Sequence, residues 1–188
     1  MYITQKIIPA TNRIHDLETL VKGNFEYMIM LQIHLSQLKY VVDFVHHHGR
    51  KVLLHTDLIQ GLKSDEAGTQ YLCQDIRPDG LISTHAQVIT TAKKRGLLAV
   101  QRIFLIDSHS LETSYRVIQS AQPDYLEVLP GIIPSVIREV CVQTKLPVFA
   151  GGFLRTTQDV DAVLLAGASS VTTSDKTLWS YNPYSCSG

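Results

Sequence analysis

Two glycines, Gly151-Gly152, and a hydroxyl pair, Thr173-Ser174, each follow a short apolar run directly. Glycine lets backbone N–H groups approach an anion closely, and hydroxyls add further donors. Together they suit a phosphate, with the short helix after Ser174 aiming its N-terminus at the same spot. Gly131, at the end of Glu127-Val128-Leu129-Pro130-Gly131, opens a loop expected beside them. A tight turn followed by a helix cap is the competing reading of these residues.

A second polar set ends other apolar runs: His55-Thr56-Asp57, Ser83-Thr84-His85, Gln101-Arg102 and Asp107-Ser108-His109. Asp57 is suited to accept hydrogen bonds from a polyol, and Arg102 to orient an acid or anion. Glu127 is an acid on an otherwise apolar strand and needs a partner, either a ligand or an inward Arg102. Asp107, followed by Ser108 and Ser110, reads as a helix cap. No spacing forces His55, His85 and His109 onto one metal, so neither metal nor cofactor is expected. The run His46-His47-His48 is structural, because adjacent helix residues do not share a face.

Lysine placement removes one chemistry. Lys6, Lys51 and Lys145 precede apolar runs, and only Lys63 and Lys176 fall on the side of the proposed site. None ends a strand inside it, so a Schiff-base aldolase lacks its nucleophile.

These groups must be positioned by repeating units. β-rich runs occur at Lys6–Ala10, Met28–Ile33, Lys51–His55, Gly80–Ser83, Ala99–Ile106, Tyr125–Leu129, Pro147–Ala150 and Ser170–Thr173, with starts 19 to 29 residues apart. That spacing fits one strand, one helix and two short loops. The runs are continuously apolar, as in strands covered on both faces. Helical patterns fill the gaps. One holds Leu35, Leu38, Val41, Val42 and Val45, with Ser36 as its cap and Gly49 as its stop. Ser64 is expected to cap another ahead of Asp65 and Glu66. Pro134 fits a first helical position, and Thr156 or Thr157 a cap. Two joints rhyme, Arg77-Pro78-Asp79-Gly80 and Gln122-Pro123-Asp124-Tyr125, each using proline to stop a helix. Eight such units allow an open doubly wound sheet or a closed barrel; their number and even spacing favour a compact (β/α)₈ barrel of the TIM type over residues 1–181, with 182–188 as a loose tail. In such barrels the site lies at the C-terminal ends of the strands.

Bulk properties narrow the rest. The 188 residues are 45% hydrophobic, and 17 basic residues balance 17 acidic ones. No global charge points to nucleic acid, and 7% aromatics argue against a broad stacking platform. Three cysteines without paired spacing indicate neither a disulfide framework nor a zinc site. No apolar run approaches a membrane span and the first residues do not resemble a signal peptide, so a cytoplasmic location is expected. Basic residues do gather at the strand starts, Lys93, Lys94 and Arg95 among them. The helix dipole accounts for them, and contact with RNA phosphates is the sharper alternative.

His55-Thr56-Asp57-Leu58-Ile59-Gln60-Gly61-Leu62, Gly80-Leu81-Ile82-Ser83-Thr84, Gln101 through Ser108, Glu127 through Gly131, Ala150-Gly151-Gly152, Thr173-Ser174 and Leu178-Trp179 appear in that order. Together they resemble the bacterial glycerol-uptake-operon antiterminator regulatory proteins, from about Ile7 to Trp179. The resemblance implies a non-enzymatic regulator that responds to glycerol-3-phosphate and binds the leader mRNA of glycerol-utilisation operons. It would place phosphate on Gly131, Gly151, Gly152, Thr173 and Ser174, and the polyol near His55, Asp57, Thr84, Arg102 and Glu127. An RNA contact would fall to Lys93, Lys94 and Arg95. The alternative is a barrel enzyme, an isomerase or phosphodiesterase, acting on a small phosphorylated substrate. The oligomeric state is left open, a homo-oligomer included.

Overall fold

A computed structural model describes residues 2–181; the expected tail at 182–188 lies outside the described residues. Eight parallel strands close into a barrel: β1 (Ile7–Thr11), β2 (Tyr27–Met30), β4 (Lys51–His55), β6 (Gly80–Ser83), β7 (Leu98–Phe104), β8 (Tyr125–Leu129), β9 (Val148–Gly151) and β10 (Ser170–Thr173). Going round, the order is β1-β10-β9-β8-β7-β6-β4-β2. The predicted (β/α)₈ barrel is the fold observed.

Around it run α1 (Ile14–Leu20), α2 (Leu38–His47), α3 (Glu66–Tyr71), α4 (Ala86–Lys94), α5 (Ser108–Ala121), α6 (Pro134–Thr144), α7 (Thr157–Leu165) and α8 (Lys176–Trp179). The longest sequence gap, between β4 and β6, holds α3 and a π-helical turn over Leu72–Ile76. A small parallel ribbon of β3 (Ile33–His34) and β5 (Ile59–Gln60) joins two loops on the C-terminal side.

Side chains alternate through the barrel wall, as the period of two requires. On β8, Leu126 and Val128 pack outward against helices, whereas Tyr125 packs inside. Ile8, Ile29, Leu53, Ile82, Val100 and Phe149 fill the interior with it. Each such burial stabilises by roughly 1.5–3 kcal/mol. The bottom is closed by the N-terminal segment: Ile3 is buried and its N–H donates to Tyr125 Oη at 2.6 Å. Gln5 secures that plug. Its amide donates to Ile7 and Tyr27 carbonyls, and its carbonyl accepts from Glu26 and Tyr27 N–H groups.

The two Pro-Asp joints do equivalent work. Arg77 and Gln122 end their helical segments at φ 58° and 48°. Asp79 then accepts from Val52 N–H at 2.9 Å, and Asp124 accepts from Ala99 N–H at 3.0 Å. Each carboxylate satisfies the lower end of the strand before it. His46 also binds Asp79, at 2.8 Å, and His48 binds the Phe44 carbonyl, so these two histidines have internal partners.

Caps differ in detail from the sequence pattern. Ser36 does not cap α2; a 3₁₀ turn over Leu35–Gln37 precedes that helix, and His34 accepts from Ser36 N–H. Asp65 rather than Ser64 caps α3: its carboxylate accepts from Gly68 N–H at 2.9 Å. Thr156 and Asp107 form capping boxes, and Pro134 starts α6.

Candidate functional site

The inward positions at the top of the strands are polar where those below are apolar. His55, Arg102, Glu127 and Thr172 are all buried. Register places Arg102 beside Glu127 across β7 and β8. Arg102 Nε donates to Glu127 Oε2 at 2.7 Å, and Thr172 Oγ1 donates to Glu127 Oε1 at 2.7 Å. Both carboxylate oxygens are therefore used internally. Among the described residues, the two terminal nitrogens of Arg102 meet no acceptor, and Arg102 lines a cavity of about 420 Å³ at the strand ends.

Above that floor, Gly151, Gly152, Thr173 and Ser174 line the same cavity. The N–H groups of Phe153, Leu154 and Ser174 donate to no described protein acceptor. Gly151 must lack a side chain, since a Cβ there would lie 2.5 Å from Thr172 Oγ1. Gly152 takes φ +81° and Phe153 φ +62°; the latter is strained for a residue with a side chain, by about 1–3 kcal/mol. This backbone turn is what directs successive N–H groups over the opening.

Several expected site residues stand elsewhere. Gly131 does not line the cavity: its N–H is bonded to Gly151 O at 2.5 Å, and a Cβ would press on the Ala150–Gly151 backbone. Its smallness serves close packing of two loops. Asp57 and Thr84 bind each other rather than facing the cavity. Asp57 accepts from Ser83 Oγ, Thr84 N–H, Thr84 Oγ1 and Thr56 Oγ1 at 2.5, 2.8, 2.9 and 3.1 Å. Burial pushes its carboxyl up, but these hydrogen bonds, Ser83 first, hold it below the usual carboxylate value. The α8 N-terminus is not open either, because Asp175 accepts from Thr177 N–H and Oγ1. His55 is buried while His85 and His109 are exposed. No group of three metal-binding side chains gathers among the described residues.

His55 is unusual. It is 2% exposed, and neither ring nitrogen has a partner among the described residues. Burial, then the neighbouring Arg102 cation, lower its pKa and keep the ring neutral.

The sequence pattern missed Thr172, Phe153 and Arg155, which also line the cavity. Thr172 is two residues before Ser174, the inward alternation of a strand. Arg155 follows the Gly-Gly pair closely enough to reach the mouth, a cation that could have been read from Gly151-Gly152-Phe153-Leu154-Arg155.

The fold and site define a (β/α)₈ barrel with a donor-rich cavity at the C-terminal ends of its strands. The family model for the glycerol-3-phosphate responsive antiterminator matches residues 7–179, and the chain belongs to that family. A crystal structure of the glycerol uptake operon antiterminator regulatory protein of Listeria monocytogenes is 42% identical, with TM-score 0.93 over 96% of this chain and 98% of the other. A glycerol uptake operon antiterminator-related protein from Thermotoga maritima is 26% identical, with TM-score 0.80 over 95% and 100%. The uncharacterized protein YgcP of Escherichia coli is 25% identical over 92% of this chain and 91% of its own length. No helix among the described residues is long and apolar enough to cross a membrane.

Two consequences are measurable. Glu127→Ala leaves Arg102 without its buried counter-charge and is expected to cost about 3–5 kcal/mol in urea unfolding; an unchanged midpoint would contradict the pairing. Because the folded pKa of His55 is lowered, the unfolded chain takes up the proton first as pH falls. Stability present above the ordinary histidine value, about 6.5, is lost toward the lower folded value. His55→Leu should remove that share of the loss as pH falls below about 6.5; equal pH dependence in both proteins would refute it.

Proposed function

We propose that this protein senses glycerol-3-phosphate in the strand-end cavity and, in its bound state, engages the leader RNA of a glycerol-utilisation transcript. The observation that carries the reading is the Arg102 guanidinium. Its Nε is fixed on Glu127, leaving two terminal donors toward a cavity that also offers unengaged backbone N–H groups and the Thr173 and Ser174 hydroxyls. A planar guanidinium held in this way suits two oxygens of a phosphate. Arg155 at the mouth adds a second cation.

The polyol would lie along Thr172 and the Arg102–Glu127 edge. His55, Asp57 and Thr84 act from behind, by shaping the floor rather than by contact. Gly131 acts similarly, by holding the loops after β8 and β9 together. The reading as a regulator rather than an enzyme is supported by the family description and by what the cavity contains: its buried acid, Glu127, is engaged by Arg102 and Thr172, and no lysine is among the described lining residues.

A ligand shifts an RNA-competent population only through unequal affinity for the two states. Ligand and RNA must then tighten each other's binding by one common factor. Calorimetric titration is expected to give binding of glycerol-3-phosphate, weaker binding of inorganic phosphate and none of glycerol. Arg102→Leu should weaken the first by at least about tenfold, as loss of a charge-assisted hydrogen bond implies. Equal affinity for glycerol-3-phosphate and glycerol, or equal affinity with and without leader RNA, would overturn the reading. Conversion of the ligand during titration would favour the enzyme.

A further inference from the structure

The opposite end of the barrel carries a second cavity, of about 830 Å³, at the N-terminal ends of β6 to β9. Its size falls within the range of small-molecule sites, about 300–1,000 Å³. Pro78, Pro123 and Pro147 form rigid parts of its wall, and Tyr2, 69% exposed, stands at its edge. Tyr2 leans on the buried Tyr125 ring, centroids 6.3 Å apart, which fixes an aromatic face in the open.

Acceptors and cations are arranged around that face. Asp79 spends Oδ2 on Val52 N–H and His46, while its Oδ1 accepts no hydrogen bond from the described residues. Lys93 is committed, to Gln122 O at 2.6 Å and Asp124 at 3.1 Å, which removes it from the expected set of free cations. Lys94 and Arg95 directly precede the lining residues Gly96 and Leu97, and Lys145 precedes Leu146 and Pro147. These three are exposed, and their side chains make no hydrogen bond or ion pair with the described residues.

We infer that this lower cavity is an RNA contact site that takes one unpaired nucleobase. The base would stack on Tyr2 and donate an exocyclic amino hydrogen to Asp79, while Lys94, Arg95 and Lys145 meet the flanking phosphates. A single exposed ring suits one splayed base, which is how proteins commonly read single-stranded RNA. A carboxylate selects bases that carry an amino donor. Cations without internal partners are available to neutralise phosphates, as already paired ones are not. The inference rests on the RNA reading given above for the class of partner. It separates the two ends of the barrel: phosphate ligand above, RNA below, with β7 and β8 running from one cavity to the other.

The test is fluorescence anisotropy with a labelled glycerol-operon leader transcript, at saturating glycerol-3-phosphate. Tyr2 is exposed, so its variants leave the barrel folded. Tyr2→Ala should weaken binding about tenfold and Tyr2→Trp should retain it, as base stacking implies. Lys94→Glu with Arg95→Glu should weaken binding and flatten its salt dependence. Binding by the wild type with no change in these variants would overturn the lower site while leaving the RNA reading intact. No binding by the wild type would overturn both. If sedimentation instead showed self-association that Tyr2→Ala abolishes, the groove would belong to a second copy of this chain and the proposal would fall.

Discussion

The ion pair between Arg102 and Glu127 is the constraint on which the upper half of the barrel depends. A charge buried in the interior is tolerated only when paired and hydrogen-bonded. Here Glu127 gives one oxygen to Arg102 and the other to Thr172, tying β7, β8 and β10 at one level. Gly151 has to be glycine for the Thr172 hydroxyl to reach the carboxylate across β9. Removing the side chain there also leaves the cavity open. One requirement, satisfying a buried acid, therefore clears the floor of the site and orients its guanidinium.

The same arrangement explains why the site carries donors in excess of acceptors. Glu127 and Asp57 are saturated by internal hydrogen bonds, and Asp175 is turned onto its own helix. What faces the cavity is mainly guanidinium, N–H and hydroxyl, with the Asp175 carboxylate also among the lining groups. Such a lining favours an anion with several oxygens.

Much of the fold was legible from spacing, because eight apolar runs at near-constant intervals leave little besides a closed parallel barrel. What spacing could not carry was short or uncapped structure. Strands β3 and β5 have two residues each, and α1 follows Arg13, which gives it no side-chain cap, so neither gives a pattern. The site was legible in composition and less so in assignment. Gly151, Gly152, Thr173, Ser174, Arg102 and Glu127 do meet at one cavity. Asp57, Thr84 and Gly131 were placed there because they end strands, but strand ends supply supporting contacts as well as ligand contacts. Which of the two applies depends on side-chain partners from neighbouring strands, and a linear pattern does not record them. Arg155 escaped because it lies beyond the strand, brought to the mouth by the left-handed turn at Gly152 and Phe153.

The central claim is that a guanidinium fixed through its Nε presents its outer nitrogens to a phosphate. Side-chain and backbone ¹⁵N resonances followed during addition of glycerol-3-phosphate address it directly. The expected result is a saturable shift of the Arg102 guanidinium together with the amides of Gly152, Phe153 and Ser174. Shifts confined to the lower face, around Lys94 and Arg95, with Arg102 unmoved, would contradict it.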